Sequence, residues 1–220
     1  MSEQTDQTAF DGYTALPDSG SGPGILLLHA WWGLNDYFRE LADRLADEGF
    51  VVVAPDLFGD GVVLSTPEEA EARLKNTDWN SMVPRMEAAF THLMSHPART
   101  GQKIGALGFS LGGSWAISAA SEQPEEIAAV VVYYGAGEAD YTLARAAYQG
   151  HFAVGDPFES DEYVTQMENE MRAAGREVDI HRYDGVGHWF AEHNRPDVYN
   201  PAAAELAWER TLRFLRAHVR

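Results

Sequence analysis

The run Lys103-Ile104-Gly105-Ala106-Leu107-Gly108-Phe109-Ser110-Leu111-Gly112-Gly113-Ser114 joins an apolar, strand-like segment to one rich in small residues, Leu111 to Ala120, that reads as a helix. Few joins constrain a chain more. Glycines on both sides of Ser110 let the strand and helix backbones approach closely, and the serine between them is lifted on a strained turn above the end of the strand. A packed sheet must therefore lie under this turn and a helix must lie back against it. The bare spacing of Gly108, Ser110 and Gly112 also arises by chance. The short apolar strand before it, and the room left by Gly113 and Ser114 after it, favour a functional serine.

The remaining sequence supplies such a sheet. Ile25 to His29, Phe50 to Ala54 and Ile127 to Tyr134 are continuous apolar runs without alternation, which suits parallel strands covered on both faces. Tyr148 to Val154 and Glu177 to Tyr183 read as further strands, and Ala9 to Leu16 as an extended segment before the turn-forming cluster Pro17 to Gly24. Between them, helices are predicted over Asn35 to Glu48, Pro67 to Asn76, Val83 to Ser95, Asp161 to Ala174 and Pro201 to His218. Asn35 serves the first as cap, and Gly49 and Gly175 stop the first and the fourth. This strand–helix rhythm predicts an α/β fold in one domain spanning residues 1–220, with a mainly parallel sheet, helices on both faces and no large lid. Residues 1–7 are expected to form a frayed polar tail, and the irregular stretch Leu57 to Ser65 to line or partly cover a site.

Composition excludes several kinds of chemistry. The chain has no cysteine, which removes disulfides, thiolate metal ligands and a sulfur nucleophile together. Its formal net charge is -18, with 34 acidic against 16 basic residues. Such a surface repels phosphate backbones and anionic lipid, so neither nucleic acid nor a membrane is an expected partner. The charge suits a solvated surface or adaptation to high salt. No run approaches the length of a membrane helix, and the N-terminal residues lack signal-peptide character, so a cytoplasmic location is expected.

Ligands of open parallel sheets bind at the carboxyl ends of the strands. Ser110, Asp156 and His188 all follow predicted strands, in the chain order of α/β-hydrolases. A serine hydroxyl is a weak nucleophile near neutral pH; a histidine can take its proton during attack and return it to the leaving group, while a carboxylate fixes the imidazole tautomer. His188, between Gly187 and Trp189, is the candidate base, with His193 and His29 as alternatives. Asp156 is the candidate acid against Asp184, Asp140 and Glu159, and Asp56 is expected to anchor a loop. A tetrahedral intermediate needs two N–H donors, for which the backbones of Leu111 and Trp31 are the candidates. Trp32, Phe58, Trp79, Trp189 and Phe190 are candidate pocket walls, although each could be core. Glu192, four residues after His188, is expected to face the pocket and disfavour anionic substrates. No histidine and carboxylate spacing resembles a metal site, and the chemistry needs no cofactor.

The runs Leu28-His29-Ala30-Trp31-Trp32-Gly33-Leu34-Asn35, Ala54-Pro55-Asp56-Leu57, Gly108-Phe109-Ser110-Leu111-Gly112-Gly113, Tyr134-Gly135, Asp156-Pro157-Phe158 and Gly187-His188-Trp189-Phe190 together resemble the dienelactone hydrolase family. The resemblance covers about residues 8–216. It implies an α/β-hydrolase acting on small ester or lactone substrates, with nucleophile, acid and base at Ser110, Asp156 and His188 and oxyanion donors at Trp31 and Leu111. Three departures stand out. The best-known members carry cysteine where this chain has Ser110, a glutamate where it has Ala30, and a substrate-binding arginine where it has Glu192. The first two belong together, since that glutamate manages the protonation of the thiol. The leading expectation is a serine esterase or lactonase working through an acyl-enzyme. An acyltransferase or perhydrolase using the same intermediate, and a non-catalytic binding protein, are the alternatives; the oligomeric state is left open.

Overall fold

The computed structural model describes residues 10–220, so the expected tail at residues 1–7 lies outside the described residues. Seven strands form one sheet: β1 (Gly12–Ala15), β2 (Gly22–Leu28), β3 (Val51–Pro55), β4 (Arg99–Phe109), β5 (Ile127–Tyr133), β6 (Ala147–Ala153) and β7 (Val178–Tyr183). Their spatial order is β1-β3-β2-β4-β5-β6-β7. β1 runs antiparallel to β3, and every other pair is parallel. The helices are α1 (Asp36–Asp47), α2 (Pro67–Asn76), α3 (Met82–Ser95), α4 (Leu111–Glu122), α5 (Asp161–Ala173) and α6 (Pro201–His218).

The continuous apolar strands produce two cores, one on each face of the sheet. Along β2, Ile25 and Leu27 join Phe38 and Leu45 of α1 and Leu215 of α6, while Leu26 and Leu28 join Leu93 of α3 and Ile117 of α4. Period-two alternation of side chains forces this division. Burial on both faces is why the strand reads as an unbroken apolar run. Helix starts follow local chemistry: the Asn35 side chain accepts the Phe38 N–H, and Thr66 and Glu69 form a reciprocal capping box ahead of Pro67.

Two strands start earlier than the apolar pattern marks. Gly22, Pro23 and Gly24 belong to β2 rather than to a turn, and β4 begins at Arg99 rather than Lys103 because Gly22 and Pro23 pair with Arg99 and Thr100. Polar, glycine-containing residues extend both strands there, so no apolar pattern marks them. Trp79–Ser81 forms a short 3-10 turn capped by the Asp78 side chain, which the sequence reading left unassigned. No described helix is long and apolar enough to cross a membrane.

Candidate active site

β4 and α4 meet at Ser110, whose φ of 50° and ψ of -117° lie outside both regular conformations. Local sterics hold it there. A Cβ on Gly108 would lie 2.1 Å from the carbonyl oxygen of Gly112, and one on Gly112 would lie 2.3 Å from that of Leu28. Only glycine permits that approach. The Ser110 N–H donates to Tyr133 O at 2.9 Å, tying the turn to the end of β5. Among the described residues the only other non-glycine positive φ values are at Tyr134 and Trp189, whose rings both lie 4.9 Å from that of His188. Backbone strain is thus concentrated around one point.

That point is a hydrogen-bonded chain of three side chains. Ser110 Oγ lies 3.0 Å from His188 Nε2, and His188 Nδ1 lies 2.7 Å from Asp156 Oδ2. Since a carboxylate only accepts, Nδ1 carries the proton toward Asp156 and Nε2 is left to accept the serine hydroxyl. Asp156 Oδ1 accepts the Phe158 N–H at 2.9 Å, which fixes the carboxylate from its own loop. Asp156 and His188 are buried, and Ser110 keeps partial exposure. Among the described residues, neither the Leu111 N–H, at the start of α4, nor the Trp31 N–H donates to a protein acceptor. Helix N-termini leave such groups open.

Most of the alternative bases and acids have other partners, and Asp184 is exposed. His29 is buried with both nitrogens occupied, Nδ1 by Ala30 O at 2.7 Å and Nε2 by the Leu57 N–H at 3.0 Å. His193 pairs with Glu40 on the surface at 3.1 Å. Asp140 accepts from Thr142, and Glu159 accepts the Ala136 N–H at 3.1 Å. Burial, with the nearby Asp156 charge, pushes the Glu159 carboxyl up to about 7. Asp56 anchors its loop, accepting the Phe58 N–H at 3.1 Å and the Gly61 N–H at 2.8 Å. Burial would raise its pKa, but the Gly61 amide and the other N–H groups of its loop outweigh that and hold it well below the usual range. The segment Leu57 to Ser65 accordingly folds against the loop after β2, where Leu64 donates to Trp32 O at 2.9 Å.

Of the expected pocket walls, only part lies at the site. Trp189 packs on His188 and stacks on Trp31 at 5.7 Å. Trp32 is instead fully buried behind Trp31, with the Arg195 guanidinium 3.9 Å over its ring. Phe190 is core, packed between Tyr134 and Tyr183. Phe58 stacks on His29 beneath Arg73, and Trp79, 43% exposed on the 3-10 turn, makes no ring contact with the cluster around His188. Glu192 requires the largest correction. It is 0% exposed, and its Oε1 accepts the Tyr134 hydroxyl at 2.9 Å. One turn of chain after Trp189 directs it inward, since the Glu192 N–H donates to Trp189 O at 2.9 Å. Residue type and spacing do not reveal the direction of such a turn.

Phe158, absent from the expected walls, packs on His188 at 4.8 Å, on Trp189 at 5.1 Å and on Trp31 at 5.7 Å. It is 49% exposed. Its position two residues after Asp156 was the available signal. Among the described residues, no group of three or more His, Cys, Asp or Glu side chains is placed to hold a metal ion.

Comparison with known proteins agrees with this fold. The protein named usf of Aquifex pyrophilus is 31% identical over 218 residues, covering 94% of this chain and 93% of the relative. A carboxymethylenebutenolidase of Rhodococcus opacus is 30% identical over 219 residues, covering 93% and 85%. The crystal structure of a dienelactone hydrolase-like promiscuous phosphotriesterase from metagenomic libraries superposes with a TM-score of 0.80 at 24% identity, covering 92% of this chain and 89% of that one, which shows a shared fold. The sequence profile of the dienelactone hydrolase family matches residues 10–219, and the chain therefore belongs to that family.

Proposed function

We propose that this protein is a serine hydrolase that cleaves carboxylic esters or lactones through an acyl-enzyme, with Ser110 as nucleophile, His188 as general base and acid, and Asp156 as the group that orients His188. The chain of contacts from Ser110 Oγ through His188 to Asp156 Oδ2, at 3.0 Å and 2.7 Å, carries this reading. Family membership and the carboxymethylenebutenolidase named among the relatives support an ester or lactone as the bond attacked.

Ser110 Oγ adds to the substrate carbonyl as His188 Nε2 takes its proton. The carbonyl oxygen becomes an oxyanion held by the Trp31 and Leu111 N–H groups. Collapse expels the alcohol, or opens the lactone, with His188 returning the proton to the leaving oxygen. A water then repeats the sequence on the acyl-enzyme and frees Ser110. Asp156 stabilises the imidazolium formed in both halves. The site suits a neutral, apolar group beside the carbonyl: Trp189 and Phe158 pack on His188, Trp31 packs on both of them, and no arginine stands where Glu192 does.

Active-site titration with a fluorophosphonate tests the assignment. Stoichiometric labelling confined to Ser110, with p-nitrophenyl acetate hydrolysis lost in step, is the expected result. Labelling elsewhere, or full turnover by a Ser110→Ala variant, would overturn it.

A further inference from the structure

Buried polar groups without a well-formed partner gather on one side of the site: the indole nitrogens of Trp31, Trp32 and Trp189, Glu192 Oε2 and Arg195 Nε. Glu192 lies at the centre of this set. Burying a carboxyl completely is costly unless its surroundings use it. Here the surroundings are two donors on two different elements. Tyr134, the residue after β5, donates its hydroxyl to Oε1 at 2.9 Å, and its ring packs 4.9 Å from the His188 ring. The Trp32 indole N–H faces the same carboxyl, though without the geometry of a full hydrogen bond, and Trp32 directly follows Trp31 in the loop after β2. Glu192 itself ends the turn that begins at Trp189, next to His188.

We infer that Glu192 is a positioning residue for acyl transfer at Ser110: its buried carboxylate draws Tyr134 against the inner face of His188 and Trp32 toward the same point, so that base and oxyanion loop keep a fixed separation. This rests on the proposed roles of Ser110 and His188. It replaces a role in substrate charge selection with one in geometry, and it accounts for a fully buried acid in a place where an apolar residue would fill the space.

The groups facing the carboxyl bear on its ionisation. They are Tyr134 from the end of β5, Tyr37 from α1, Trp32 from the loop after β2, and Arg195 from its own segment. Burial pushes Glu192 up to about 8, against the pull of Tyr134, Arg195 and Trp32. The carboxylate, which these contacts favour over the neutral acid, therefore forms as pH rises through that value.

Three variants test the inference: Glu192→Gln, Tyr134→Phe and the double variant. Each is assayed for kcat and KM on p-nitrophenyl acetate, and for the rate of Ser110 labelling by a fluorophosphonate from about pH 6 to about pH 10. If Glu192 acts through Tyr134, each single variant lowers kcat about tenfold at about pH 9, where the parent carboxyl is ionised, with KM within about twofold, and the double variant loses little more than either. The labelling rate of the parent should rise through an ionisation near 8 that Glu192→Gln lacks. Unchanged kcat in both single variants, additive losses, or a pH profile that Glu192→Gln leaves intact would overturn it. Should Glu192→Gln fail to fold, Tyr134→Phe, which keeps the ring and deletes only the donor, decides the matter through the split between kcat and KM. A parent that is not labelled at Ser110 would instead refute the underlying assignment, so the two failures are distinguishable.

Discussion

A methyl group on Gly112 would lie 2.3 Å from the carbonyl oxygen of Leu28, a backbone atom that cannot swing aside. The contact sets the distance between α4 and β2 and with it the height of Ser110 above the sheet. Gly112→Ala is expected to lower stability by about 1–3 kcal/mol, the usual range for overpacking. Gly187→Ala, where no heavy atom stands within 4 Å of an added Cβ and φ is not positive, should change stability little. Urea midpoints for the two variants check this; equal losses would show that the approach at Gly112 relaxes freely.

Ser110, His188 and Asp156 should behave as one unit in kinetics. Ser110→Ala and His188→Ala are each expected to lower kcat on a short-chain aryl ester by at least ~10³-fold, and the double variant by no more than either. Asp156→Asn should cost somewhat less, because it keeps the shape of the contact to His188 and loses the tautomer it enforces. Steady-state rates with melting temperatures alongside separate lost chemistry from lost folding. Near-normal turnover by His188→Ala would move the base elsewhere.

Phe158 should influence binding rather than chemistry. Its ring closes over His188, Trp31 and Trp189 while remaining 49% exposed. Phe158→Ala is expected to raise KM for an aryl ester about tenfold, in line with roughly 1–1.5 kcal/mol for an aromatic contact, and to leave kcat within about twofold. Comparing phenyl acetate with methyl acetate sharpens the test, since only the aryl ester should respond.

Asp56 predicts part of the acid sensitivity. Its carboxyl is held well below the usual range when folded, so the stability it contributes is complete above the unfolded value of ~3.9 and is lost as pH falls toward the folded one. Asp56→Asn should cost about 1–2 kcal/mol at neutral pH through weakened bonds to Phe58 and Gly61, and should flatten the decline of stability below about pH 5. Denaturation midpoints between about pH 3 and about pH 7 would show the parent and variant curves converging at the acid end.

Much of this molecule follows from local sequence. Apolar runs such as Ile25 to Leu28 specify parallel strands buried on both faces, Asn35 and Thr66 specify helix starts, and Gly108 and Gly112 specify the turn at Ser110. These depend on propensity, capping and sterics within a few residues. The strand-end positions of Ser110, Asp156 and His188 were legible for the same reason, because each follows a recognisable strand in chain order. Tertiary structure alone decided which way side chains on the intervening loops point. Glu192 turns into the core to meet Tyr134, 58 positions earlier in the chain, Phe190 follows it into the core between Tyr134 and Tyr183, and Phe158 turns out over His188. A loop carries no hydrophobic period to assign its faces, so partners distant in sequence fix its direction, and those partners meet only once the sheet has brought their strand ends together.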